Sequence, residues 1–204
     1  MPISEKVSDL LKDRVDAQQL LKMLRKNKSI QLILERAQKL GLLNWYLGAG
    51  GIAQTVWNIK HGFDPENCIK DYDLVYYDAK DISYDAENYF IKKGKDLFKD
   101  IPIPVEIINE ARVHLWYKKH FGKSINQYGS VEEAIDTWPT TATAVGVRKI
   151  GSQCRVYRPF GLDDLLNMIV RPNKVLITEQ IYQDKVDRWL KNWPSLKVVP
   201  WGHK

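Results

Sequence analysis

Asp71 and Asp73, in the run Lys70-Asp71-Tyr72-Asp73-Leu74-Val75, are the strongest chemical signal in the chain. They stand at the entrance of a β-forming run, Leu74 to Tyr77. Residues two apart in a strand point to the same face, so the two carboxylates lie side by side. Such a pair repels and desolvates badly unless a cation sits between its members. A hard divalent cation with oxygen ligands suits it: Mg²⁺ first, Mn²⁺ as the alternative, with substrate phosphates and water completing the shell. Glu106 is the one acid in Pro104-Val105-Glu106-Ile107-Ile108. On a neighbouring strand it would be a third carboxylate and allow a two-metal site. Upstream, Gly48-Ala49-Gly50-Gly51-Ile52-Ala53 lies between a strand and a helix. Glycine there lets backbone approach a phosphate, and the helix start offers unsatisfied N–H groups.

The glycine run also fits the dinucleotide fingerprint G-x-G-x-x-A. That fold needs a buried strand after the helix, ending on a ribose-binding acid about 20 residues on. Here His61-Gly62-Phe63-Asp64-Pro65-Glu66-Asn67 intervenes, which is no buried strand, and Asp71 and Asp73 precede the next strand rather than follow it. A dinucleotide-dependent oxidoreductase is therefore the weakest of three readings.

The surrounding pattern supplies the elements that must hold these groups. Apolar residues from Ser4 to Leu40 recur at three- and four-residue spacing, predicting two or three helices that end at Gly41. Strands are expected at Asn44–Leu47, Leu74–Tyr77, Pro104–Ile108 and Arg155–Tyr157. Helices are expected at Ile52–His61, Tyr84–Phe98, Ala111–His120, Val131–Ile135, Leu162–Val170 and Val175–Trp193. Thr140–Val147 reads as either strand or buried helix. Strands alternating with helices in the middle, and helices at both ends, make an α/β (α+β) fold with a small mixed sheet and flanking helices. One domain over residues 1–204 is expected: N-terminal helices at 1–42, a catalytic core at 43–158 and C-terminal helices at 159–204.

Paired glycines opening a helix, then Asp-x-Asp leading a strand, then a lone acid on a later strand resemble the DNA polymerase β-like nucleotidyltransferase superfamily. Within it the chain is similar to the head domain of CCA-adding enzymes, and to a family of small bacterial predicted nucleotidyltransferases. The matching segments are GGIAQTVWN (50–58), IKDYDLVYYD (69–78), ARVHLWY (111–117), WPTTATAVGVR (138–148) and FGLDDLLNMIVRPNK (160–174), with the Trp-Pro-containing tail to Trp201. The resemblance implies that Asp71 and Asp73 coordinate a metal on a nucleoside triphosphate, and that Glu106 joins them at a second metal near an attacking hydroxyl. It also implies that Gly50 and Gly51 hold phosphates through backbone N–H groups. Arg112, His114, Arg148 and Arg171 are candidates for triphosphate or acceptor contacts. Where CCA-adding heads carry Arg-Asp after the glycines, this chain reads Ile52-Ala53-Gln54-Thr55, leaving Gln54 as the replacement contact. The expected activity is Mg²⁺-dependent transfer of a nucleoside monophosphate to a hydroxyl of an undefined acceptor, RNA among the classes. A non-catalytic nucleotide- or RNA-binding descendant of the fold is the second reading.

Composition sets the outer bounds. The chain has 204 residues, 44% hydrophobic and 27% charged, which excludes collagen-like and disordered classes. Its two cysteines, Cys68 and Cys154, are far apart, and four scattered histidines supply no paired zinc motif. The +6 net charge is spread in small groups, as on an ordinary solvated surface. With no apolar h-region at the N-terminus and no membrane-length apolar run, the expected location is the cytoplasm, away from membranes.

Overall fold

The computed structural model describes residues 3–202, with side chains from Leu11 onward, so Leu10's side chain and His203 lie outside the described residues. The helical N-terminus resolves into α1 (Ile3–Leu24), α2 (Lys28–Arg36) and a 3-10 turn at Ala37–Leu40, closed by Gly41 at φ +77°. Then follow β1 (Tyr46–Gly48), α3 (Ala49–His61), β2 (Tyr72–Tyr76), α4 (Tyr84–Leu97) and β3 (Val105–Asn109). After these come α5 (Val113–Phe121), α6 (Val131–Asp136), β4 (Gly146–Ile150) and β5 (Gln153–Tyr157). The chain closes with α7 (Asp163–Leu166), β6 (Ile169–Val170), α8 (Glu179–Asn192) and β7 (Lys197–Val198).

Five strands form a mixed sheet in the order β3-β2-β1-β4-β5, parallel between β2 and β3 and antiparallel elsewhere. This is the mixed sheet with flanking helices that the sequence predicts. Two elements differ. The helix expected over Leu162–Val170 stops after one turn, because Met168 takes a left-handed backbone at φ +56° and the chain turns into β6. That strand pairs in parallel with β7, a second small sheet that two-residue strands leave no pattern for. Thr140–Val145 is a turn leading into β4, neither strand nor helix. Among the described residues no helix is long and apolar enough to cross a membrane.

One face of the five-stranded sheet carries the core. Leu47, Tyr72, Leu74, Tyr76 and Ile107 pack there against α3 and α1, including Ile52, Val56, Trp57 and Leu20. Trp57 meets Trp189 and Trp193 edge-on at 5.3 and 5.5 Å, which docks α8 on α3. Buried polar groups fix the register of these layers. Asn27 caps α2 by accepting from Ile30 N–H, and its amide donates to Thr55 on α3 and to the Tyr72 hydroxyl on β2, both at 2.9 Å. Asn58 donates to the carbonyls of Pro65 and Asn67 and accepts from Trp193 Nε1 at 2.7 Å. One side chain thus ties the loop that leads to Asp71 to the residue that ends α8.

Candidate active site

The other face of the sheet holds the chemistry. Gly146, Gly48, Asp73 and Glu106 lie in register across β4, β1, β2 and β3. Asp73 is flanked on one side by residues without side chains and on the other by Glu106. The room above the glycines is filled from the loop after α6. A Cβ at Gly48 would lie 2.7 Å from the Trp138 ring, so glycine is what lets that indole rest on the strand. Trp138 is held in turn by Asn173, whose amide donates to the carbonyls of Asp136 and Trp138 at 2.7 and 2.9 Å. The segments 138–148 and 160–174, distant in sequence, therefore meet to form one wall.

A pocket of about 310 Å³ opens over this face, lined among others by Gly50, Gln54, Asp71, Asp73, Glu110 and Trp138. Gly50, Gln54, Asp71 and Asp73 therefore share one pocket. The two glycines of the turn have different duties. Gly51 faces β2, where a Cβ would meet the Tyr72 ring at 2.6 Å; Gly50 faces the pocket. Helix α3 begins here with Gly48 as N-cap and no side-chain cap, and Ala49 N–H is bonded to the Val145 carbonyl. The N–H groups of its first turn have no acceptor within the helix, and the positive end of the dipole points the same way. Gly51→Ala should lower the melting temperature by roughly 2–10 °C, since overpacking costs about 1–3 kcal/mol at each such contact. Differential scanning calorimetry checks this, and an unchanged melting temperature would show that Tyr72 can yield.

The carboxylates are strongly coupled. Burial, followed by repulsion from Asp71 and Glu106, pushes Asp73 up to about 7, against a smaller opposing pull from Lys185. Burial and then Asp71 raise Glu106. Glu106 is exposed beside Asp73 rather than inside the pocket. Among the described residues no three His, Cys, Asp or Glu side chains form a metal cage by themselves. The donor set suits a hard cation held by one or two carboxylates and completed by phosphate and water, not an all-protein site.

Three groups that sequence reasoning overlooked line the same pocket. Lys185 and Arg188 come from α8, more than a hundred residues beyond the Asp pair, and face it across the opening. Burial, then Arg188, lowers Lys185, while Asp73 and Asp71 oppose that shift. The third is Glu110, which is 5% exposed and follows β3 directly. Burial, with Asp73 and then Glu87 adding repulsion, raises it to about 8. For the α8 cations the only available signal was a basic residue at each of two positions three apart on a helix.

The arginine candidates go elsewhere. Arg112 is buried, paired with Glu87 and donating to the Ile82 carbonyl at 2.8 Å. Arg148 lies on the pocket face but one row away, over the Tyr46 ring at 5.1 Å, and does not line the pocket. Arg171 is paired with Asp164. His114 is also outside it, with Nδ1 buried and unpartnered. Arg112 and Arg148, expected as phosphate contacts, do not line this pocket, whereas Lys185 and Arg188 do.

The sequence profile of a nucleotidyltransferase family matches residues 35–198. The chain belongs to that family. A solution NMR structure described as revealing a CCA-adding enzyme head domain superposes on the nucleotidyltransferase with a TM-score of 0.73 at 28% identity, covering 90% of this chain and 95% of that one. A tRNA-processing enzyme in an apo form aligns at a TM-score of 0.42 and 16% identity over 82% of this chain and 44% of that one. No curated protein matches the sequence. The nucleotidyltransferase is thus an enzyme with the fold of a CCA-adding head domain, and its class generally uses divalent metal ions.

Proposed function

We propose that the enzyme transfers a nucleoside monophosphate from a nucleoside triphosphate to a hydroxyl of its acceptor. The observation that carries this reading is the opposition, across one pocket, of Asp71 and Asp73 to Lys185, Arg188 and the uncapped start of α3. The α3 N–H groups of Gly50 and Gly51 orient the terminal phosphates, and Gln54, one turn on, supplies a neutral donor. Lys185 and Arg188 neutralise charge on the leaving pyrophosphate, a role in which preorganised donors in a partly dry site are most effective. Asp71 and Asp73, with Glu106 at the rim, would hold Mg²⁺ or Mn²⁺. When bound, the metal would supply charge neutralisation at the attacking and leaving oxygens. Trp138 and Pro139 wall off water on the far side.

The test is incubation with each of the four α-labelled nucleoside triphosphates, Mg²⁺ or Mn²⁺ and a cell extract, with and without EDTA. Metal-dependent label on an extract component supports transfer, and its sensitivity to nuclease or protease assigns the acceptor class. The α8 cations carry a separate expectation. Lys185→Met combined with Arg188→Met should weaken binding of Mg²⁺-triphosphate by about 10–100-fold, as expected for two charge-assisted contacts of about 1.5–3 kcal/mol each, partly screened. Isothermal titration calorimetry measures it, and unchanged affinity would remove α8 from the phosphate site.

A further inference from the structure

A second cavity of about 210 Å³ adjoins the active pocket and shares Ile108, Glu110, Trp138, Pro139 and Lys185 with it. Its character is different. Trp116, Tyr117, Phe121 and Tyr128 supply aromatic wall, and Leu176 and Ile181 close it from the α8 side. The residues of the phosphate end, Gly50, Gln54, Asp71 and Arg188, do not reach it. At the seam stands Glu110, a buried carboxylate with no hydrogen-bond or ion-pair partner among the described residues. Its carboxylate opens onto both cavities, so its hydrogen-bonding capacity is available to whatever enters them. An apolar aromatic slot with one unpartnered acceptor at its mouth is complementary to a flat ring that is apolar on its faces and carries N–H on its edge.

We infer that this cavity seats a planar heteroaromatic ring, with an N–H donor of the ring edge hydrogen-bonded to Glu110 while the attached phosphate or hydroxyl extends into the adjoining pocket. The inference rests on the nucleotidyl-transfer reading of that pocket. An RNA strand running through the cavity is not favoured, because Lys185 is the one basic residue lining it. The ring has two possible sources with the same chemistry: the base of the incoming nucleotide, or a ring of the acceptor.

Calorimetric titration of the full chain with inorganic triphosphate, the four nucleosides and the four nucleoside triphosphates, all in Mg²⁺, tests this. At least one nucleoside should bind saturably, and Leu176→Trp, which fills the slot, and Glu110→Met, which keeps the length but removes the oxygen acceptors, should each weaken it at least tenfold. Inorganic triphosphate should bind Leu176→Trp within about twofold of wild type. If the matching nucleoside triphosphate binds more tightly than inorganic triphosphate, and Leu176→Trp abolishes the difference, the ring is the incoming base. If nucleoside and nucleoside triphosphate bind together and independently, it belongs to the acceptor. Absence of saturable nucleoside binding, with triphosphate still bound, would overturn the inference and spare the phosphate site. Nucleoside binding that both variants leave unchanged would also overturn it, and Glu110→Met approximates the original size should Leu176→Trp fail to fold. Loss of triphosphate binding in the wild type would instead sink the reading of the first pocket.

Discussion

The Asp71→Asn, Asp73→Asn double variant should lose nucleotidyl transfer by at least about 10³-fold and melt no lower than the wild type. The loss is expected because both side chains line the pocket opposite the cations of α8 and no neighbouring carboxylate replaces them inside it in the same row. A thousandfold corresponds to about 4 kcal/mol of transition-state stabilisation, the scale of removing preorganised charge from an active site. The preserved or raised melting temperature follows from the strain that the acids bring: Asp73 is buried beside Asp71 and Glu106, so the apo fold is relieved when that charge is removed. Initial rates with a labelled nucleotide and a calorimetric melt decide both halves. Residual transfer within tenfold of wild type would displace the Asp pair from the chemistry, and a collapsed melt would make it structural.

The second large effect is on stability against pH in the presence of EDTA. Asp73 rises from 3.8 to about 7 on folding and Glu110 from 4.5 to about 8. Below about pH 3 both are protonated in folded and unfolded chains and contribute no difference. As pH rises through 4 to 8 the unfolded chain ionises first while the folded one retains its protons, so the unfolded state binds fewer protons and stability falls. Above about 8 the penalty is complete. The combined loss is on the order of 2 kcal/mol, or about 4–8 °C in melting temperature for a chain of this size, after discounting for the openness of the pocket. The Asp73→Asn, Glu110→Gln variant should flatten this part of the profile, and saturating Mg²⁺ should shrink it by compensating Asp73. A metal-free wild type whose stability rises from pH 5 to 8 would contradict the burial of both charges.

Much of the site was legible because its parts lie close together in sequence. The turn at Gly48–Gly51 and the acids at Asp71 and Asp73 flank one helix, and strand periodicity places both acids toward the same side. Glu106 is recognisable as the single acid of an apolar strand, and its register with Asp73 follows from parallel pairing. Lys185 and Arg188 were hidden by distance: the Trp57–Trp189–Trp193 contact and the Asn58–Trp193 hydrogen bond bring α8 to the acids, and nothing local says where that helix docks. Glu110 was hidden by position, one residue beyond a strand where an acid ordinarily faces water. Arg112 could not be placed from sequence, since only the folded chain shows it buried and paired with Glu87. The short helix at Asp163–Leu166 was overextended because its apolar spacing continues past the point where Met168 reverses the chain.

Ala49 begins α3 with φ at +54°, a left-handed conformation that costs an L-residue about 1 kcal/mol or more. Glycine would adopt it freely, yet the glycines stand on either side, at positions where φ is not positive and clearance is what matters. The turn is therefore stiffened at the very joint where a glycine would have made it supple. Ala49 is pinned there by its bond to Val145, and Trp138 leans on the neighbouring Gly48. The cradle above the acids is thus fixed by a backbone bond and a ring contact at a strained joint.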